Sequence, residues 1–298
     1  MQAELFYLDC AAPVPHRMAY WQWGDPQANH TVVCVHGLSR QGRDFDVLAQ
    51  ALVERSKTPL RVVCPDVVGR GKSDFLTDPQ GYQLPTYVAD MLQLLVQLKP
   101  ATLDWVGTSM GGLIGMLVCA YAPSVGASVR RLVLNDVGPV IQWQALQRIG
   151  QYLGKSGQFA TVQQAADAMW AISSSFGPHT PAQWLALSQP MLKPLAGVQG
   201  PGAWTLHYDP AIALPFGAMT EQQAQEGEAL LWQAYDAISA QTLLLRGAQS
   251  DLLSVATAQQ MTQRGPKAQL VEFAGVGHAP TLIAPDQVDA VTQFVLAA

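Results

Sequence analysis

Apolar residues along this chain fall into two kinds of segment. Short continuous runs at 31–35, 61–64, 102–106, 131–135, 242–246 and 269–273 have the length and β-branched content of strands buried on both faces. Longer stretches between them have helical spacing. Over 85–98, Asp90, Gln93 and Gln97 share one face while Met91, Leu94, Leu95 and Leu98 share the other, and Pro100 stops the pattern. Helices are also predicted at 45–55 and 285–296, and an opening β-pair at 5–8 and 18–23, closed by Gly24-Asp25-Pro26. Strands and helices alternating at this spacing predict an α/β fold with a mostly parallel, doubly wound sheet.

After Pro139 the alternation stops. Helical segments at 141–153, 161–174, 181–192 and 221–238 follow with no core strand among them, and a proline- and glycine-rich connector spans 194–215. Thr161-Val-Gln-Gln164 and Thr220-Glu-Gln-Gln223 fit the capping box and place two helix starts. The sheet pattern returns at 242. The chain therefore divides into a core of 1–137 and 238–298 and a helical cap insertion of 138–237 that interrupts one domain.

The formal net charge is -5, 13% of residues are charged, and Lys and Arg are scattered, which argues against a nucleic-acid surface. The N-terminus lacks the basic and apolar regions of a signal peptide. No apolar stretch approaches the ~18 residues of a membrane span. Cys10, Cys34, Cys64 and Cys119 show no C-x-x-C spacing and read as core thiols in a reducing compartment, so a cytoplasmic location is expected. Nothing in the sequence fixes an oligomeric state.

Four stretches carry chemistry. Gly107-Thr108-Ser109-Met110-Gly111 matches G-x-S-x-G between a strand and an apolar helical segment. There the serine sits in a strained turn, and glycines at minus two and plus two let strand and helix approach. By itself the match describes a tight turn in any α/β protein. His36-Gly37 ends the strand at 31–35, directing the N–H of Leu38 over the sheet edge as a second donor beside that of Met110. Asp251 and His278 follow the last two strands, at the sheet edge that a parallel arrangement shares with Ser109. A serine hydroxyl needs such a base, and the base needs an acid to fix its tautomer. By contrast, Gly71-Lys72-Ser73 only imitates a phosphate-binding loop, because Asp66 stands where its first glycine belongs.

Taken together, these features resemble the α/β-hydrolase superfamily, whose order is Ser, then Asp or Glu, then His, over the whole chain. The resemblance implies Ser109 as nucleophile, His278 as base, Asp251 as acid and the N–H groups of Leu38 and Met110 as oxyanion hole. Asp136, which also follows a core strand, is the alternative acid. His36, Gly37, Arg40, Trp143 and Trp204 are candidate pocket residues. The implied reaction is carboxylic-ester hydrolysis; C–C bond hydrolysis, lactone hydrolysis, perhydrolysis and a non-catalytic binding role use the same pocket. No H-E-x-x-H and no dinucleotide fingerprint is present, so no metal or organic cofactor is expected.

Five of the eight tryptophans fall within 138–237, where Arg148, Lys155 and Lys193 are the only Lys or Arg. That composition predicts an apolar lid and a small uncharged ester with an apolar acyl group as substrate. Arg40 and Arg43 are the cations that could instead receive a carboxylate.

Overall fold

The computed structural model describes residues 2–11, 14–155, 157–195 and 203–297, so part of the expected connector at 194–215 lies outside the described residues. The chain opens with β1 (Glu4–Cys10), β2 (His16–Gly24), β3 (His30–Val35), α1 (Asp46–Arg55), β4 (Leu60–Pro65), α2 (Leu84–Leu98), β5 (Thr102–Thr108), α3 (Met110–Tyr121) and β6 (Val129–Asn135). It then leaves the sheet through α4 (Trp143–Tyr152), β7 (Gln158–Phe159), α5 (Val162–Ser173), α6 (Pro181–Ser188), β8 (Leu192–Pro194), β9 (Trp204–Leu206), α7 (Ala213–Ala218) and α8 (Glu221–Asp236). It returns as β10 (Gln241–Gly247), α9 (Val255–Gln263), β11 (Gln269–Phe273) and α10 (Pro285–Val295).

Eight strands form one sheet in the order β1-β2-β4-β3-β5-β6-β10-β11. Pairings of β2 with β1 and β4 are antiparallel, and all others are parallel. The apolar runs are continuous because both faces are covered. Val33, Val35, Val63 and Trp105 join the core under α2 and α3, whereas Val32, Cys34, Val62 and Val106 join the one under α1 and α10. Asp104 on β5 is buried in the sheet, accepting hydrogen bonds from His30 on β3 (2.7 Å) and Arg130 on β6 (2.9 Å). Burial opposes its charge, but those hydrogen bonds and the guanidinium outweigh it and hold the carboxyl below its ordinary range.

The segment between β6 and β10 is not purely helical. β7, β9 and β8 form a small antiparallel sheet, with pairs of two and three residues that are too short to leave an alternating pattern in sequence. α7, with a proline and a glycine in six residues, and α9 were likewise not legible in the sequence. Thr220 heads a full capping box; at Thr161 the hydroxyl accepts from Gln164 N–H, but the Gln164 side chain reaches Ala160 instead. Three tryptophans build this segment's own core: Trp170 and Trp184 meet edge to face at 4.9 Å and Trp204 packs on the same cluster, whereas Trp232 joins the main core and stacks beneath Arg264.

The loop that imitates a phosphate site is filled by its own carboxylate: Asp66 accepts from the N–H groups of Gly42 (2.7 Å) and Lys72 (2.8 Å). Burial raises its pKa to about 6 against those hydrogen bonds. The same loop anchors the inserted segment, with Gly71 N–H donating to His207 and Asp209 N–H to Gly69. All four cysteines are free thiols. No described helix is long and apolar enough to cross a membrane.

Because the folded pKa of Asp104 is depressed, its contribution is complete above the unfolded value and disappears as pH falls below about 4 through the lower folded value. Asp104→Asn is expected to cost about 3 kcal/mol or more at neutral pH. Its unfolding free energy, measured by urea titration, should also change less on acidification than that of the unmutated protein; equal pH slopes would contradict this.

Candidate active site

Ser109 sits between the last residue of β5 and the first of α3 with φ 51° and ψ -117°. A non-glycine residue holds that conformation only when its surroundings leave no alternative. A Cβ on Gly107 would overlap the carbonyl of Gly111, and one on Gly111 would overlap the carbonyl of Val35 at the end of β3. The two glycines are therefore a packing requirement of the turn. Ser109 N–H donates to Asn135 O at 2.9 Å, tying the turn to the end of β6.

His278, in the loop after β11, stands 3.0 Å from Ser109 Oγ through Nε2 and 2.7 Å from Asp136 Oδ2 through Nδ1. The acidic partner fixes the tautomer: Nδ1–H donates to the carboxylate, leaving the Nε2 lone pair to accept the serine hydroxyl. Asp136 follows β6 with φ 56° and is fully buried. It also accepts from Gly247 N–H (2.9 Å) and the Ser250 hydroxyl (2.6 Å).

The expectation that Asp251 orients His278 does not hold in the structure. Its side chain is 51% exposed and forms a two-pronged ion pair with Arg148 of α4, at 2.8 and 3.0 Å. The loop after β10 turns so that Ser250, one residue earlier, faces the buried acid. Asp136 occupies the place beside His278 because β6 and β10 are neighbours and their carboxyl ends lie at the same edge.

Leu38 lines the cavity above Ser109, and neither its N–H nor that of Met110 has a protein acceptor among the described residues. His36 lies beneath this turn rather than in the main cavity. It is fully buried, donates through Nδ1 to Gly37 O (2.7 Å) and accepts Val67 N–H at Nε2 (2.9 Å). Burial pushes its pKa down to about 3, so it is a neutral brace.

The cavity encloses about 300 Å³. Phe159, Met169, Ile172, Phe176 and Tyr208 supply much of its wall, Gly37 and Ser39 border the serine, and Arg40, Arg148 and Lys155 are its cations. Trp143 and Trp204, expected in the pocket, are not among the lining residues. Periodicity marks such rings as buried without saying against which surface. Arg40 is in the wall but forked onto Asp44 (2.6 and 2.7 Å), and Arg43 is turned onto Asp46 and the Trp21 ring. Arg148 and Lys155 were not singled out as pocket residues, since no local sequence signal separates a cavity-facing cation from a solvated one.

Over residues 32–291 the chain matches the profile of the Alpha/beta hydrolase family. It belongs to that family. Among curated relatives, the 3-hydroxybutyrate-oligomer hydrolase of Cupriavidus necator is 47% identical over 292 residues, covering 98% of this chain and 97% of that protein. An sn-1-specific diacylglycerol lipase of Mus musculus is 29% identical, covering 89% and 80%. The crystal structure of an alpha/beta hydrolase from Novosphingobium aromaticivorans superposes with a TM-score of 0.84 at 33% identity, covering 98% of each chain. The chain is thus an enzyme of a hydrolytic family, with the sheet of that fold.

Cys10, His16 and Asp90 bring three possible metal ligands within 4.8 Å of one another, buried at the edge of the sheet. Both His16 nitrogens are already engaged there, with Val14 O (2.7 Å) and Asp90 (3.2 Å), which makes the group a hydrogen-bonded strut between β2 and α2.

The elbow geometry is open to a direct stability test. Gly111→Ala is expected to cost at least about 2 kcal/mol in urea unfolding, because its methyl meets backbone that cannot give way. Gly227→Ala, in α8 with open space around it, should instead stabilise by up to about 1 kcal/mol.

Proposed function

We propose that this protein is a serine esterase in which Ser109 is the nucleophile, His278 the general base and Asp136 the orienting acid. The observation that carries this reading is the unbroken hydrogen-bonded chain from Asp136 through His278 to Ser109 at the floor of the cavity. In the acylation step Ser109 Oγ attacks the ester carbonyl while its proton passes to His278 Nε2, and Asp136 stabilises the resulting imidazolium. The developing oxyanion is received by the N–H groups of Leu38 and Met110, donors without a competing protein acceptor among the described residues. His278 then returns the proton to the leaving alkoxide. Water, deprotonated by the same imidazole, releases the acyl group.

The inserted segment 138–237 serves as the cap in this proposal, since α4, α5 and the loops around them supply the roof of the cavity. A cavity of about 300 Å³ suits a small ester rather than a long-chain lipid. The relative named for hydrolysing 3-hydroxybutyrate oligomers, similar along nearly its whole length, supports a short oligoester of a hydroxy acid as the substrate class.

Ser109→Ala should reduce kcat for p-nitrophenyl butyrate by roughly 10³ or more, and Asp136→Asn by on the order of 10⁴, through loss of the productive tautomer. Asp251→Asn removes only an exposed ion pair, worth about 1 kcal/mol or less, and should change kcat by under about tenfold. Labelling by a fluorophosphonate probe should map to Ser109. Near-native turnover in Ser109→Ala would refute the assignment, and a larger loss at Asp251 than at Asp136 would return the acid to the later loop.

A further inference from the structure

The cavity over Ser109 has a charge character opposite to that of the protein around it. The chain carries 17 Lys and Arg against 22 Asp and Glu, yet the cavity wall includes three cations, Arg40, Arg148 and Lys155, and no Asp or Glu. Two of the three Lys or Arg residues in the whole 138–237 segment therefore stand on this one surface. Sparse charge in the cap does not make the pocket neutral; the few cations are concentrated where substrate would lie.

Their compensation differs. Arg40 is forked onto Asp44, and Arg148 is forked onto Asp251 across the boundary between cap and core. Lys155, just past the end of α4, has no carboxylate partner among the described residues. Tyr152, between Arg148 and Lys155 on the same stretch, also lines the cavity, and burial pushes its phenol up, so that it stays a neutral hydrogen-bond donor.

We propose that Lys155, with Arg148 and Tyr152 beside it, binds a substrate carboxylate, so that the enzyme acts on short hydroxy-acid oligoesters carrying their free acid end. The inference rests on the ester-hydrolase reading of Ser109. A carboxylate entering an otherwise apolar cavity loses hydration that only a cation and hydrogen-bond donors can replace. Lys155, an exposed residue that also lines the cavity and has no carboxylate partner among the described residues, meets that need without first breaking an existing ion pair. In a dimer of 3-hydroxybutyrate the single carboxylate is on the alcohol side of the ester, so this site would read the leaving group.

The test compares kcat/KM for the free-acid dimer of 3-hydroxybutyrate with that for its methyl ester. The unmutated enzyme should favour the acid, and the preference should shrink as salt rises from roughly 20 to 500 mM. In Lys155→Met the acid-to-methyl-ester ratio should fall about tenfold or more, and Lys155→Arg should restore most of it. Calorimetric binding of the free-acid dimer to Ser109→Ala protein, weakened by Lys155→Met, reads the same site without turnover. Equal rates on acid and methyl ester would overturn the proposal, as would a ratio unmoved in both Lys155→Met and the Arg148→Met/Lys155→Met double variant. Hydrolysis persisting in Ser109→Ala would count against the esterase reading alone, since the ratio and the binding measurement still decide the carboxylate site.

Discussion

The contact on which the rest of this structure depends is the approach of the first turn of α3 to the carboxyl ends of β3 and β5. Gly111 lies against the carbonyl of Val35, and Gly107 against that of Gly111, with no room for a Cβ at either place. That closeness forces Ser109 to a positive φ and lifts its side chain off the sheet edge. It also sets Gly37, in the loop that starts at His36, beside the Ser109 side chain. A strand order with β3 beside β5 is the topological condition for this.

Around that turn, the buried His36 and Asp136 side chains each have partners on both sides. His36 is kept neutral by burial and spends both nitrogens on backbone, bracing the turn that carries Leu38. Asp136 is kept satisfied by donors from the end of β10 and the loop after it, besides His278. The two groups use the same edge of the sheet differently: one braces backbone, and the other meets the His278 imidazole.

The inserted segment joins the core through a shared apolar cluster, to which Ala145, Ile149, Leu153, Ile212 and Trp232 contribute, and through polar contacts at several points. Tyr82 donates to Asp209 at 2.6 Å, His179 meets Thr281 at 2.8 Å, and Ser175 donates to the carbonyl of His278 at 3.1 Å. Arg148 and Asp251 add an ion pair at the cavity rim. The loop that resembles the usual acid loop thus holds the inserted segment, while Asp136, after the neighbouring strand, meets His278. Trp170, Trp184 and Trp204, which suggest a lid by composition, are instead internal struts of that segment, and smaller apolar residues and cations face the cavity.

The sequence by itself determined whatever is encoded within a few residues: the buried strands, the helix faces, the G-x-S-x-G elbow, the His-Gly turn and the order of serine and histidine along a parallel sheet. In these the chemistry and its geometric requirement sit in one short motif, as when two glycines and a serine together dictate a strained turn. Only the tertiary structure decided between Asp136 and Asp251. Both follow strands that pair with each other, so sequence places both at one edge; the conformation of two loops selects the acid that reaches the imidazole. The same limit hid the short strands of the insertion and the direction of Arg148 and Lys155. Periodicity reports that a side chain has an inside and an outside, but which surface it meets is set by elements far away in the chain.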